Sequence, residues 1–281
     1  MILFINVFIT NKRARVTPDD RFEVFKYMLH RLSLVDRWSK AVIYCKLDSE
    51  YEHKEEELCQ YVHELFNDFS FYPDRVMYQK DWQVAVQEVL DRPDNLVWFL
   101  SNDDHIYIPQ DAEIVDEAIE LLNREEGMAS FYFSHWPEAM RWYAGNPATE
   151  RVSPNFVVAQ RSVTDGIQLI NKKLLKSWWF DMDYGDAEMR RSDDIMLLTP
   201  GSECTSPFTA RVYAPLKEIV RHFDGYGHVK INVPYIKVHL EDIEPLTQES
   251  CNTKPSQGAW VAEHDAVPPK EWFHSIKSAG S

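Results

Sequence analysis

A chain of 281 residues, 44% of them hydrophobic, is long enough to bury a sizeable core in one α/β domain. Its 30 Lys and Arg against 45 Asp and Glu give a formal charge of −15, so the average surface repels phosphate backbones and anionic headgroups, which argues against nucleic acid or a membrane surface as partner. An anionic nucleotide can still bind where a divalent cation and local Lys or Arg side chains offset its charge, so a metal site is expected.

The opening MILFINVFI is too short to span a bilayer and lacks a basic leader and an A-x-A-like cleavage site, so residues 2–9 read as a buried parallel strand without membrane insertion. Thr17-Pro18-Asp19-Asp20, a capping residue followed by Pro and acids, opens an amphipathic helix to about Leu34. Residues 41–47 predict a second strand ending at Asp48-Ser49, and 51–67 a charged helix with Leu58, Val62, Leu65 and Phe66 inward. A short strand is expected near Arg75–Tyr78, a helix over roughly 81–91, and a buried strand at Leu96–Leu100 that stops at Ser101-Asn102-Asp103-Asp104. A helix from Pro109 through Leu122 and a strand at Met128–Ser134 complete the alternation, which implies a mostly parallel central sheet flanked by helices.

Beyond about residue 135 the pattern turns irregular, with Trp136, Trp142, Tyr143, Trp178 and Trp179 as aromatic faces suited to core or sugar. There a strand is expected at Val157–Arg161, a helix at Thr164–Trp178 and another at Arg190–Leu198. The chain thus reads as a Rossmann-like half, residues 1–134, followed by an irregular half, residues 135–281, together one domain. Cys45, Cys59, Cys204 and Cys251 are scattered, without CxxC pairs; reduced thiols and a cytoplasmic protein are the expectation.

In open α/β sheets ligands bind outside the carboxyl ends of the strands, which singles out Thr10–Arg15, Asp48-Ser49 and Asn102–His105. Acids at a central strand end are costly to desolvate, and a hard cation bridging carboxylate and diphosphate oxygens resolves the cost. LVWFLSNDDH resembles the strand and Asp-x-Asp motif of nucleotide-sugar glycosyltransferases of GT-A fold, and VIYCKLDSE and YQKDWQVAVQEVLD are similar to neighbouring elements of their family-2-like branch. The likeness covers roughly residues 2–230. It implies a GT-A-like α/β fold, a nucleotide-sugar donor, a glycan acceptor, and Mn²⁺ or Mg²⁺ as cofactor. Asp104 would be the direct metal ligand and Asp103 would bind the donor ribose or sugar. Asn102 stands where the family has its first Asp, and His105 follows as a further ligand or a packing residue. The same run also suits a capped turn.

Thr10, Asn11, Arg13, Asp48 and Lys80 are candidates for base, ribose and diphosphate, although a Lys or Arg at a strand end often only solvates. EMRRSDDIML resembles the family's acidic pair below the acceptor, implying Asp194 or Asp193 as general base; Ser192 and both acids equally suit a helix cap. RHFDGYGHV offers His222 or His228 to the metal, or a tight turn with surface histidines. A similarity to soluble glycosyltransferases of large algal viruses, a xylosyltransferase among them, adds UDP-xylose as a donor within the UDP-sugar expectation. A nucleotidyltransferase or a non-catalytic carbohydrate-binding protein are the rivals. The first usually has a Gly-rich loop after the first strand, where Thr10-Asn11-Lys12-Arg13-Ala14-Arg15 has no glycine. Neither G-x-x-x-x-G-K-[ST] nor G-x-G-x-x-G occurs, which excludes P-loop and dinucleotide enzymes.

Overall fold

A computed structural model of the chain describes residues 1–11, 21–74, 80–100, 105–107, 112–131, 147, 149–158, 167–176, 211–217 and 219–222. Their centre is a sheet of eight strands. Three continuous apolar runs form its middle: β1 (Ile2–Ile9), β2 (Lys40–Leu47) and β4 (Leu96–Leu100). All three are parallel, with Ile2 in register with Lys40 on one side and Val97 on the other. Helices on both faces explain why these strands carry apolar residues at successive positions rather than alternate ones.

The sheet order is β3-β2-β1-β4-β8-β6-β9-β7, completed by β3 (Phe69–Asp74), β6 (Gly127–Ser130), β7 (Phe156–Val158), β8 (Ile167–Asn171) and β9 (Arg211–Pro215). Strand β8 runs antiparallel to both β4 and β6, and β7 antiparallel to β9. The remaining strands are mutually parallel, in keeping with the mostly parallel sheet expected. A separate two-stranded ribbon joins β5 (His105–Tyr107) to β10 (Val220–His222).

On one face of the sheet lie α1 (Arg21–Ser33), α2 (Glu55–Leu65) and α4 (Ala112–Arg124). Helix α4 shows why: Ile114, Val115, Ala118, Leu121 and Leu122 recur at helical spacing and are buried, with Glu113 in the first turn and Arg124 in the last complementing the helix dipole. The other face is covered by α3 (Lys80–Asp91) and the short α5 (Lys172–Leu175). Trp82 of α3 packs its ring 5.6 Å from Phe4 and 5.1 Å from Tyr44, edge-on to the latter. Gly127 lets β6 approach β9 closely, since a Cβ there would lie 2.7 Å from the Arg211 carbonyl oxygen.

One local reading is corrected. Within the helix expected at Thr164–Trp178, Ile167–Asn171 is a strand, followed by helix at Lys172–Leu175. Ile167, Ile170 and Leu174 mimic helical spacing, but the edges of β4 and β6 both require a partner, and pairing overrides local propensity. A strand is also present at Phe69–Asp74, ahead of residues 75–79, which lie outside the described residues. The expected helix at Arg190–Leu198 and the aromatic residues 136, 142, 143, 178 and 179 also lie outside them.

Candidate functional site at the carboxyl edge of the sheet

Strands β1 and β2 end together, and their last residues are tied across the edge. Thr10 Oγ1 donates a hydrogen bond to Asp48 Oδ2 at 2.6 Å, and the Asp48 backbone N–H donates to the Ile9 carbonyl at 3.0 Å. The second carboxylate oxygen, Oδ1, accepts from the Ser49 backbone N–H at 2.7 Å. Asn11 donates its backbone N–H to Glu50 Oε1 at 2.6 Å and its side-chain amide to the Tyr51 hydroxyl, while its Oδ1 accepts from the Arg21 backbone N–H at 3.1 Å. Thr10, Asn11 and Asp48 therefore converge as the sequence suggested. They form a polar rim in which a hydroxyl and a backbone N–H already orient the Asp48 carboxylate.

Further along the same edge, Lys46 lies 4.4 Å from the centre of the Phe8 ring, in register with Asp74 at the end of β3. Asp74 accepts from the Tyr44 hydroxyl at 2.8 Å. Sequence reading passed over Lys46 and Asp74 because one sits inside a strand and the other in an unanticipated one.

The ribbon gives the second half of the arrangement. His105, the residue after Asp104, opens β5, and its Cα partner across the ribbon is His222 of β10. Thus the late histidine-containing segment meets the strand that follows the acidic run. His105 is fully buried. Arg31 of α1, 6% exposed, donates from Nε to the Tyr107 carbonyl at 3.1 Å and fastens β5 to the body. Burial pushes the Arg31 pKa down, opposed by Tyr27 and Tyr107.

On the face covered by α3, side chains grade from apolar to polar toward this edge. Strand β1 presents Ile2 and Phe4 and then Asn6; β6 presents Met128 and then Ser130; antiparallel β8 presents Ile170 and then Gln168. Asn6, Ser130 and Gln168 are fully buried. None was singled out from sequence, although an Asn inside the apolar run ILFINVFI is a visible signal.

Asn102, Asp103 and Asp104 lie outside the described residues, as do Arg13, Asp193, Asp194 and His228. Lys80 is placed as the first residue of α3 and His222 as the last of β10, by backbone position. Among the described residues, no three His, Cys, Asp or Glu side chains gather closely enough to hold a metal ion. No helix among them is long and apolar enough to cross a membrane.

No family model and no curated protein matches the chain. Among solved structures it is similar to HddC from Yersinia pseudotuberculosis, with a TM-score of 0.40 and 8% identity over 75% of this chain and 88% of that one. It is likewise similar to the inositol-1-phosphate CTP transferase from T. maritima, with a TM-score of 0.36 and 13% identity over 79% and 89% of the two chains. A third likeness is to residues 1–349 of S. aureus TarS, with a TM-score of 0.38 and 12% identity, covering 63% of this chain and 49% of that one.

Proposed function

We propose that this chain is a metal-dependent, inverting glycosyltransferase that moves a sugar from a nucleotide sugar, a UDP-sugar on the family resemblance, to a glycan hydroxyl. The observation that carries the reading is the convergence of Thr10, Asn11 and Asp48 at the carboxyl edge, beside a central strand that leads into Asn102-Asp103-Asp104. Residues 1–134 would form the donor half and residues 135–281 the acceptor half.

In this reading Asp48, Thr10 and Asn11 bind base and ribose, Asp103 joins them at the ribose or sugar, and Arg13 and Lys80 offset diphosphate charge. Asp104 and Asn102 supply oxygen ligands and a histidine supplies nitrogen, a donor set that Mn²⁺ accepts and whose oxygens suit Mg²⁺. Of the two late histidines we place His222 there rather than His228, because β10 is paired with the strand that begins next to Asp104. The bound cation would stabilise negative charge on the departing diphosphate. Asp194, or else Asp193, takes the acceptor hydroxyl proton as that oxygen bonds to the anomeric carbon and the bond to the diphosphate oxygen breaks.

Thermal unfolding against UDP-, GDP- and CMP-sugars and CTP, each with and without Mn²⁺ or Mg²⁺, tests this. A ligand at ~100 times its dissociation constant adds about 2.7 kcal/mol of stability. A metal-dependent rise with one nucleotide-sugar series, UDP-xylose among its members, is expected. A rise with CTP alone would favour a nucleotidyltransferase, and no rise at all a carbohydrate-binding protein. Asp104→Ala should remove the metal-dependent rise and leave the unliganded midpoint unchanged; unaltered metal dependence would overturn that ligand assignment.

A further inference from the structure

Gln168 is fully buried in β8, and neither its Oε1 nor its Nε2 has a hydrogen-bond partner among the described residues. A buried amide without partners is penalised on both its donor and its acceptor side. Leu or Met would fill a similar volume on this face without that penalty, as Ile170 and Met128 do deeper on the same face. Packing alone therefore does not account for the amide.

Its place in the sheet indicates what would satisfy it. Gln168 is in register with Phe99 of β4 on one side and Ser130 of β6 on the other, one residue from the end of β4 that leads into Asn102–Asp104. The order β2-β1-β4-β8 sets it three strand spacings from β2, where Asp48 closes the edge. At about 4.8 Å per spacing this is roughly 14 Å, comparable to the reach of an extended nucleotide sugar from its base to its glycosyl ring. A base held at the ends of β1 and β2, with diphosphate across the end of β4, brings the glycosyl group over β8.

We infer that Gln168 reads the transferred sugar, its amide oxygen accepting from one glycosyl hydroxyl while its N–H donates to a neighbouring one. Adjacent hydroxyls are the chemical class that matches one acceptor and one donor on a single planar group. The assignment rests on the glycosyltransferase reading above and adds to it the residue that selects the donor sugar.

The test compares wild type with Gln168→Leu by calorimetry, using UDP, GDP and CMP alone and as sugar conjugates in the presence of Mn²⁺. Wild type is expected to distinguish the conjugate from the bare nucleotide. Gln168→Leu should weaken the conjugate roughly tenfold, leave the nucleotide unchanged, and raise the unfolding midpoint by about 2–4 °C as the unsatisfied amide is removed. Gln168→Met repeats the measurement if the Leu variant does not fold. A folded variant that keeps the wild-type preference overturns the inference, as does a wild type with no preference to lose, and both leave the nucleotide-binding reading standing. Absence of any nucleotide binding by wild type removes that reading and this inference with it.

Discussion

At the amino edge of the sheet polar groups meet as pairs of opposite charge, whereas at the carboxyl edge a carboxylate is held by neutral donors and three uncharged polar side chains are buried. Lys40 Nζ lies 2.7 Å from Asp68 and 3.2 Å from Glu88, Arg92 reaches Asp68 at 3.2 Å, and the N-terminal ammonium meets Asp94 at 3.1 Å. Glu88 also accepts from Ser70 at 2.8 Å and Tyr72 at 2.6 Å, which ties α3 to β3. At the other edge Thr10 orients a carboxylate, and Asn6, Ser130 and Gln168 line a buried face. The difference separates two uses of polar residues in one sheet: one edge fastens elements together through ion pairs, and the other, where the proposed donor site lies, buries uncharged polar side chains.

Substitutions at the two edges should therefore part company. The largest effect is expected from Asp194→Asn, which should cut turnover roughly 10²–10⁴-fold with donor affinity near normal; full turnover in single-turnover assays would move the base to Asp193 or elsewhere. Asp48→Ala should lower nucleotide affinity by about tenfold or more, on the order of 1.4 kcal/mol or greater, because it removes a charged acceptor. An affinity equal to that of wild type by calorimetry would dissociate the β1–β2 rim from base binding.

At the opposite edge Lys40→Met should cost about 1–2 kcal/mol in denaturant unfolding with nucleotide affinity unchanged, since it leaves Glu88 without its cation on a partly exposed surface. Any parallel loss of affinity would blur the division between the edges. The smallest effect concerns pH. Burial raises the Glu88 pKa, but hydrogen bonds from Tyr72, Ser70 and Lys40 outweigh it and hold the carboxyl below its usual value. A carboxyl whose folded pKa lies below its unfolded value contributes stability that is complete above the unfolded pKa, about 4.3, and lost as pH falls through the folded one. The midpoint difference between wild type and Glu88→Gln should be widest near neutrality and close below about pH 4; a pH-independent gap would point to geometry rather than charge.

How much of this was legible depended on burial. Strands β1, β2 and β4 are read directly because two-sided burial demands unbroken apolar runs. Edge strand β3 was not, because Phe69–Asp74 is only half-buried and Pro73 interrupts it, tolerated where one side of a strand needs no partner. Strand β8 was misread because five residues carry too little periodicity to tell a strand from the start of a helix. The rim followed from sequence: Thr10, Asn11 and Asp48 stand directly after runs whose register is fixed. Gln168 and Ser130 did not, since a lone polar residue within a strand gains meaning only when its neighbours across the sheet are known.

The β5–β10 ribbon sets a condition on assembly. Its two strands are separated by most of the later chain, yet one begins next to Asp104 and the other ends at His222. Non-local pairing of this kind is slow to form and waits on closure of the long segment between. A chain emerging from the ribosome can complete β1, β2 and β4 early, but this ribbon only after residue 222 has appeared. Truncation before that point would leave β5 without its partner strand.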